Sequence, residues 1–118
     1  MKDITFQKIM SRLSASEQEI QTLLENAEKQ SFTHKDIIVH EGETNSNLYI
    51  ITQGVWRAFT FKDGSEVTLW FASEGEIAFS TWGYAANIPS RLNLEVVTDS
   101  EAYCLTKSKL EELYNSSL

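Results

Sequence analysis

Residues 37–77 read IIVHEGETNSNLYIITQGVWRAFTFKDGSEVTLWFASEGEI, and the glycines of this stretch decide the fold. Gly42, Gly54, Gly64 and Gly75 separate short apolar segments, each about the length of one β-strand. Glycine is the residue that turns with positive φ at no steric cost, and turn signals at intervals of about ten residues are typical of all-β sandwiches and barrels. The spacing therefore predicts a β core and not a helical bundle or a βαβ enzyme.

Six segments are predicted as strands because they are rich in β-branched and aromatic residues and are bounded by turn formers. They are residues 37–39, 48–52, 55–61, 67–71, 94–97 and 102–105. The tetrapeptide KDGS at 62–65 predicts a hairpin, since Asp-Gly supplies the positive φ that a two-residue turn needs. Tight turns are also predicted at 41–43 and at 53–54, whereas the alternation lapses around residues 80–87.

Helices are predicted on both sides of the β core. Residues 3–30 carry apolar side chains at helical spacing and are predicted to form two helices, the second capped by Ser14 with Glu17. A last helix is predicted at 107–114, with Ser108 and Glu111 as its capping box. The chain is thus one domain, residues 1–118, with helices over 1–30, a β core over 31–106 and a helix over 107–115.

Composition limits what the chain can do. With 17 acidic and 10 basic residues the net charge is -7, which disfavours nucleic-acid binding through this segment because phosphate contacts need clustered Lys and Arg. The single Cys104 permits neither an intrachain disulfide nor a four-cysteine metal site and is predicted to be a buried thiol. The sequence shows no signal peptide and no membrane-length apolar run, so a cytoplasmic location without membrane contact is predicted.

Most of the chain, from about residue 13 to 113, resembles the cyclic-nucleotide-binding domain of the Crp/Fnr family of bacterial transcription regulators. The resemblance is carried by residues 37–77, quoted above, and by LNLEVVTDSEAYCLTKSKLEELY at 92–114. Gly42 and Gly54 keep the family interval around the LY-I motif, Gly64 fits the hairpin glycine and Gly75 opens the G-E-I turn. The resemblance implies a β jelly roll (a double-stranded β-helix) with flanking helices, a regulatory and not catalytic role, and no cofactor.

The family binds its ligand in a phosphate-binding cassette, where backbone amides and an Arg hold the phosphate and a carboxylate accepts the ribose hydroxyl. Alignment without gaps from Gly75 matches the cassette glycine to Phe79, the ribose carboxylate to Ser80, the phosphate arginine to Ser90 and its hydroxyl neighbour to Arg91. Arg91 reaches the phosphate position only if the register slips by one residue, and is otherwise a solvated side chain. With Trp82, these four are the predicted ligand-binding positions. Their identities make cyclic AMP a poor ligand.

The aromatic residues offer a different kind of pocket. Most of them are predicted to lie in the core, but Trp82 and Tyr84 fall in the irregular cassette segment beside Gly83. A pocket walled by Phe79, Trp82 and Tyr84 would favour an apolar or planar ligand over a phosphate.

The resemblance implies an effector-sensing domain of a transcription regulator. Ligand binding would move the cassette, and the helix at 107–114 would relay the movement to a dimerisation helix and DNA-binding domain that this sequence does not contain. A small-molecule effector and a second copy of the chain are the predicted partners. One alternative is an interaction domain that keeps the jelly roll but binds no small ligand.

The other alternative is a cupin-like metalloenzyme. His34 and His40 with Glu41 and Glu43 motivate it, but no third histidine completes the metal site. For nucleophilic catalysis, neither Ser80 nor Cys104 has a histidine nearby in sequence.

Overall fold

The computed structural model describes residues 16–80, 83 and 86–116. The bounds of two helices and eight strands are defined in this part of the chain. They are α1 (Glu17–Glu25), β1 (Glu28–Phe32), β2 (Ile37–Val39), β3 (Leu48–Gln53), β4 (Trp56–Lys62), β5 (Ser65–Ala72), β6 (Ile77–Ala78), β7 (Asn93–Val96), β8 (Ser100–Leu105) and α2 (Lys107–Ser116).

The strands form two four-stranded antiparallel sheets, which confirms the predicted jelly roll. One sheet has the order β1-β8-β3-β6 and the other β2-β7-β4-β5. The core lies between them, since one buried cluster takes side chains from strands of both sheets, among them Ile51, Trp56, Val96 and Ala102. Burying such side chains contributes about 1.5–3 kcal/mol each for the larger aliphatic ones. Because the chain passes repeatedly from one sheet to the other, strands that are far apart in the sequence come into contact.

The fully buried Trp56 is the largest side chain of this core. Its ring meets Phe32 and Tyr49 edge-on, with centroids 5.3 and 5.5 Å away. Its indole N–H has no hydrogen-bond acceptor among the described residues. Ring packing, and not a hydrogen bond of the indole within the described residues, therefore holds Trp56 in the core.

Helix α1 covers the outer face of the first sheet. Ile20 and Leu24 lie one helical turn apart, so they share a face and pack on Ile50 of β3. The helix begins with a capping box in which the Glu19 amide donates to Ser16 Oγ and the Ser16 amide donates to Glu19 Oε1. These bonds lower the pKa of Glu19, because the backbone and hydroxyl donors of Ser16 favour the carboxylate.

Three predictions about the helices are corrected by the structure. The cap pair is Ser16 with Glu19, and not Ser14 with Glu17, because the same Ser-x-x-Glu pattern also fits two residues later. Helix α1 ends at Glu25, so the helix predicted to residue 30 gives way to β1, which pairs with β8. Helix α2 is capped by the Thr106 hydroxyl, which accepts from the Lys109 amide, and not by a Ser108–Glu111 box. Residues 1–15, including the predicted first helix, lie outside the described residues.

The predicted turns are confirmed. Positive φ angles are found at Gly42 (93°), Gly54 (102°), Gly64 (81°) and Gly75 (86°). Asp63 also has a positive φ of 53°, and Lys62 pairs directly with Ser65. Two consecutive positive φ values define the turn type whose twist matches the strands of a hairpin. Strands β4 and β5 are therefore joined with the shortest favourable connection.

Candidate functional site

A cavity of about 250 Å³ lies between the second sheet and the segment that follows β6. The described residues that line it are Val39, Ala58, Trp70, Phe79, Ser80, Ser90, Leu92, Asn93 and Leu94. They come from β2, β4, β5 and β7 and from both ends of the chain segment between β6 and β7. The strands thus form its floor, and the segment between β6 and β7 forms its margin.

The floor of the cavity follows from the register of three neighbouring strands. Ala58 on β4 stands directly opposite Leu94 on β7 and opposite Trp70 on β5. Residues that face one another across an antiparallel pair point to the same side of the sheet. Because the central member of this row is alanine, the space between the two larger side chains stays open.

Gly83 fixes the margin of the cavity against a neighbouring loop. A Cβ placed on Gly83 would lie only 2.6 Å from the Asn45 carbonyl carbon and 2.9 Å from its amide nitrogen. The Gly83 amide also donates to the buried hydroxyl of Ser80 at 3.4 Å. Asn45 in turn donates from its side chain to the Tyr49 hydroxyl at 3.2 Å. Because Gly83 has no side chain, the segment after β6 can pack directly against the Asn45 loop, which is itself bonded to Tyr49 of β3.

At the other end of the margin, Ser90 is tied to the turn at Gly42. The Ser90 carbonyl accepts from the Gly42 amide, and the Ser90 amide donates to the Glu43 carbonyl, both at 2.8 Å. Its hydroxyl donates to the Leu92 carbonyl at 2.8 Å and accepts from the Leu92 amide at 3.2 Å. The Ser90 side chain is buried, and its hydroxyl is used by hydrogen bonds within its own turn.

None of the described side chains that line the cavity carries a charge. The sequence extends this observation, because residues 79–90, FSTWGYAANIPS, contain no Asp, Glu, Lys, Arg or His. The side chains of the cavity therefore offer apolar surface, hydroxyls and one amide. Burying a phosphate there without a cationic partner would be costly, so the lining suits an uncharged molecule.

The family of this chain is shown by a sequence match that covers three quarters of its length. Residues 29–117 match the family model described as the cyclic nucleotide-binding domain. The chain belongs to this family. Among curated protein sequences none matches the chain. Domains of this family are typically regulatory and not catalytic.

Solved structures share this fold. The catabolite activator protein of Thermus thermophilus superposes with a TM-score of 0.78 at 21% identity, covering 92% of this chain. The N-terminal domain of a transcriptional regulator from Streptomyces coelicolor A3(2) gives 0.76 at 21%, covering 99% of this chain and 81% of that one. The EAL enzyme Bd1971 in its half-site-occupied form gives 0.66 at 27%, covering 73% and 77%. This chain spans 50% of the Thermus protein.

The structure brings together three of the five predicted ligand-binding positions of this cyclic nucleotide-binding domain. Phe79, Ser80 and Ser90 line the cavity. Arg91 is exposed and is not among the residues that line it. Trp82 lies outside the described residues, as does Tyr84. Glu76 belongs to the preceding turn, where its carboxylate accepts from the Ser73 amide at 2.7 Å.

Sequence reasoning missed the strand residues that form the floor, Ala58, Trp70 and Leu94. The alternation of β4 and β7 could have shown that Ala58 and Leu94 face inward. Trp70 could not be placed in the same way, because the pairing of β4 with β5 shifts between Ala58 and Phe59 and leaves Leu69 as an extra residue. A bulge of this kind reverses the face that the alternation assigns.

The other candidate groups lie apart from the cavity. His34 contacts Asp99, with Nδ1 3.8 Å from Oδ1, while His40 stands in the Gly42 turn. The described residues hold no group of three or more His, Cys, Asp or Glu placed to bind a metal ion. Cys104 is buried, and burial raises the pKa of its thiol. No described helix is long and apolar enough to cross a membrane.

Proposed function

We propose that this cyclic nucleotide-binding domain is the effector-sensing part of a cytoplasmic Crp/Fnr-type transcription regulator, and that its effector is an uncharged planar molecule. The regulatory half of the proposal is supported by the family match and by similarity in fold to a catabolite activator protein and a transcriptional regulator domain. As a sensor, the domain itself contacts neither DNA nor membrane.

The observation that carries the effector class is the uncharged lining of the cavity. A cyclic nucleotide brings a permanent negative charge, and a buried phosphate needs a fork of donors such as an arginine supplies. The position aligned with the family arginine is Ser90, whose hydroxyl is already bonded to Leu92. Arg91 beside it is exposed. A cyclic nucleotide would therefore lose its hydration without gaining an ionic partner.

The size of the cavity limits the effector further. An apolar protein cavity of about 150 Å³ accepts benzene. At about 250 Å³ this cavity has room for one or two fused rings between Trp70, Phe79 and Leu94. Ser80 and Asn93 at the margin supply the few polar groups that orient such a ring.

The same contacts suggest how binding is signalled. A ligand that displaces Phe79 and Ser80 also displaces Gly83, which donates to Ser80 and rests on the Asn45 backbone. Because Gly83 already packs closely on the Asn45 backbone, we expect the cassette segment to shift away from Asn45. We propose that the regulator reads this shift through α2, as the family resemblance implies.

Isothermal titration with matched ligands tests the proposal. Adenine and indole should bind, whereas cyclic AMP and cyclic GMP should give no heat at millimolar concentration. Ala58→Leu fills the centre of the floor and should abolish binding of the planar ligands. Val97→Leu places the same leucine side chain at an exposed position outside the cavity, with a smaller increase in volume, and should leave binding unchanged.

Two results would contradict the proposal. Micromolar binding of cyclic AMP would show that Arg91 or backbone amides hold the phosphate, and that the charge argument is wrong. Silence toward every ring compound, with an unchanged melting temperature, would favour an interaction domain that has no small ligand.

A further inference from the structure

A second opening, an open depression of about 350 Å³, lies beside the turn through which the chain passes from one sheet to the other. It is bordered by the end of β5, by the turn that follows, by β6 and by the residue after β6. Strands β5 and β6 are each the last strand of their sheet. The residues that line the depression are Trp70, Phe71, Ala72, Glu76, Ile77 and Phe79. The effector proposed above does not explain this opening.

Three aromatic residues border the depression. Neighbouring residues of a strand point to opposite faces, so Trp70 and Phe71 border it from the two sides of edge strand β5. Phe79 borders it from the segment after β6. Phe71 is 62% exposed and Trp70 37%, so both rings keep surface that a ligand can contact. The face of an aromatic ring is electron-rich and attracts a cation.

The half-buried Glu76 adds a carboxylate to these rings. Its Oε1 accepts from the Ser73 amide at 2.7 Å and from the Ser73 hydroxyl at 3.1 Å. Both donors are neutral groups, so these two bonds orient the carboxylate without cancelling its charge. A cation in the depression would therefore meet a fixed negative charge as well as the aromatic rings.

The charges around the depression also favour a cation. Residues 63–90 contain four acidic residues and no Lys, Arg or His. Arg57 stands opposite Phe71 in the pairing of β4 with β5, and it donates to Glu66 at 2.6 Å and to Glu95 at 2.7 Å. These three ionic side chains together carry one net negative charge. The local field therefore attracts a positively charged ligand and repels an anion.

The mixture of rings and one carboxylate indicates which kind of cation fits. A hard metal ion needs several oxygen ligands, and the described residues hold no group of three or more His, Cys, Asp or Glu placed to bind one. A quaternary ammonium group has an apolar methyl surface that aromatic rings contact well. We propose that the depression binds a small organic cation of the quaternary ammonium class. Trp70, Phe71 and Phe79 contact its methyl groups, and Glu76 faces its charge.

A chemical-shift titration of the unmodified chain with choline chloride tests this inference. Saturating shifts should appear at the Trp70 indole N–H and at the amides of residues 70–77, with a millimolar dissociation constant, and α1 should not respond. Sodium chloride at the same ionic strength is the blank. The neutral carbon analogue of choline, in which a tert-butyl group replaces trimethylammonium, should bind about tenfold more weakly. Equal affinity for the analogue would overturn the inference, as would shifts that never saturate.

Two phenylalanines of the hairpin give a matched pair of variants. Phe71→Leu removes a ring that lines the depression and should weaken choline binding about tenfold. Phe61→Leu makes the same change at a residue that is 58% exposed and does not line the depression, so it should bind choline as the unmodified chain does. Unchanged binding by Phe71→Leu would contradict the ring contact.

The charge of Glu76 is tested separately from its shape. Glu76→Gln keeps the size of the side chain and should weaken binding of choline, but not of the neutral analogue, about tenfold. Glu74→Gln removes the same charge from the same turn at a residue that does not line the depression, and its effect should be smaller. Equal losses in the two variants would show that only the general field acts, and would overturn the contact with Glu76.

Ala58→Leu distinguishes the depression from the effector cavity. Ala58 lines the cavity but not the depression, so this variant should still bind choline with unchanged affinity. Loss of choline binding in Ala58→Leu would place choline in the cavity and overturn the inference. Because the inference does not rest on the planar effector, failure of adenine and indole to bind would leave it intact.

Discussion

Gly54 and Ser100 approach so closely that a side chain on Gly54 would overlap Ser100. A Cβ at position 54 would lie 2.7 Å from Ser100 Cβ and 3.0 Å from the Asp99 carbonyl oxygen. Gly42 has a similar positive φ, 93° compared with 102°, but nothing within 4 Å of the corresponding Cβ position. Comparing a substitution at Gly42 with one at Gly54 therefore separates the energetic cost of the backbone conformation from that of a steric clash.

Gly42→Ala should lower the free energy of unfolding by about 1–2 kcal/mol, because only the left-handed backbone is strained. Gly54→Ala should cost about 1–3 kcal/mol more, since Ser100 must also be displaced. Urea unfolding of both variants measures the difference, in which the shared effect on the unfolded chain cancels. Equal losses would show that Ser100 and its loop yield freely.

Arg57 should contribute more to stability than its place on the sheet surface suggests. Arg57→Gln leaves Glu66 and Glu95 without their cation, and both carboxylates then face each other across the sheet. We expect a loss of about 2 kcal/mol in the free energy of unfolding.

The control for Arg57 is Lys109→Gln, which removes an exposed pair with Glu112 at 3.6 Å. Such a pair contributes about 0–1 kcal/mol. Similar losses in the two variants would show that the hydrogen bonds of Arg57 are replaced by water.

The buried thiol of Cys104 should make the domain less stable at alkaline pH. Burial raises the pKa of Cys104, although a hydrogen bond with Tyr49 opposes this shift. The folded state therefore keeps the proton when the unfolded chain has already lost it, above a pKa of about 8.5. The stability from this group is complete below that pH and falls as the pH rises toward the folded-state pKa.

Thermal unfolding between neutral and alkaline pH measures this dependence, and Cys104→Ala should flatten it relative to the unmodified chain. Thiol reagents should react slowly with the native protein and rapidly in urea. Rapid labelling of the native protein would show that the thiol is accessible, and that its pKa is not set by burial.

Returning the family's cassette residues should create a cyclic nucleotide site. Phe79→Gly, Ser80→Glu and Ser90→Arg together supply the close backbone approach, the carboxylate and the arginine that the alignment finds missing. Titration calorimetry should then detect binding of cyclic AMP at micromolar concentration, where the parent chain should show none even at millimolar. Arg91→Ala in the parent chain should leave the calorimetric response to cyclic AMP unchanged, because Arg91 is exposed and does not line the cavity.

A parent that binds cyclic AMP as well as the triple variant would contradict this prediction. Ser90→Arg also removes the two bonds to Leu92, so each variant needs a thermal melt to confirm that it is folded.

Most of the fold could be predicted from the sequence because the residues that indicate each turn or strand are adjacent in the chain. The hairpin at Asp63-Gly64 depends on two adjacent residues, and the strands that alternate or carry β-branched runs were predicted to within two residues at either end. Strand β1, EKQSF, was missed since it lacks such a run and is defined by pairing with β8, whose partner residues lie 68 to 76 positions further along the chain. Strand β6 has only two residues and was missed for the same reason.

The candidate site could be predicted less completely. Alignment with the family identified the positions Phe79, Ser80 and Ser90, but an alignment does not show what surrounds each side chain. That the Ser90 hydroxyl serves Leu92, and that Trp70 turns toward the cavity, depends on a turn and a bulge whose geometry is tertiary. The absence of charge from residues 79–90 can be read directly from the sequence, and the proposed class of effector rests on it.

Trp70 and Phe79 each border two openings, the cavity and the open depression that is also lined by Ala72, Glu76 and Ile77. An occupant of either opening therefore presses on the same two rings. By thermodynamic reciprocity, an occupant of the depression that strengthens effector binding tenfold must itself bind the effector-loaded domain tenfold more tightly, a coupling of about 1.4 kcal/mol. The effector affinity of this domain would then change with the concentration of any molecule that fills the depression.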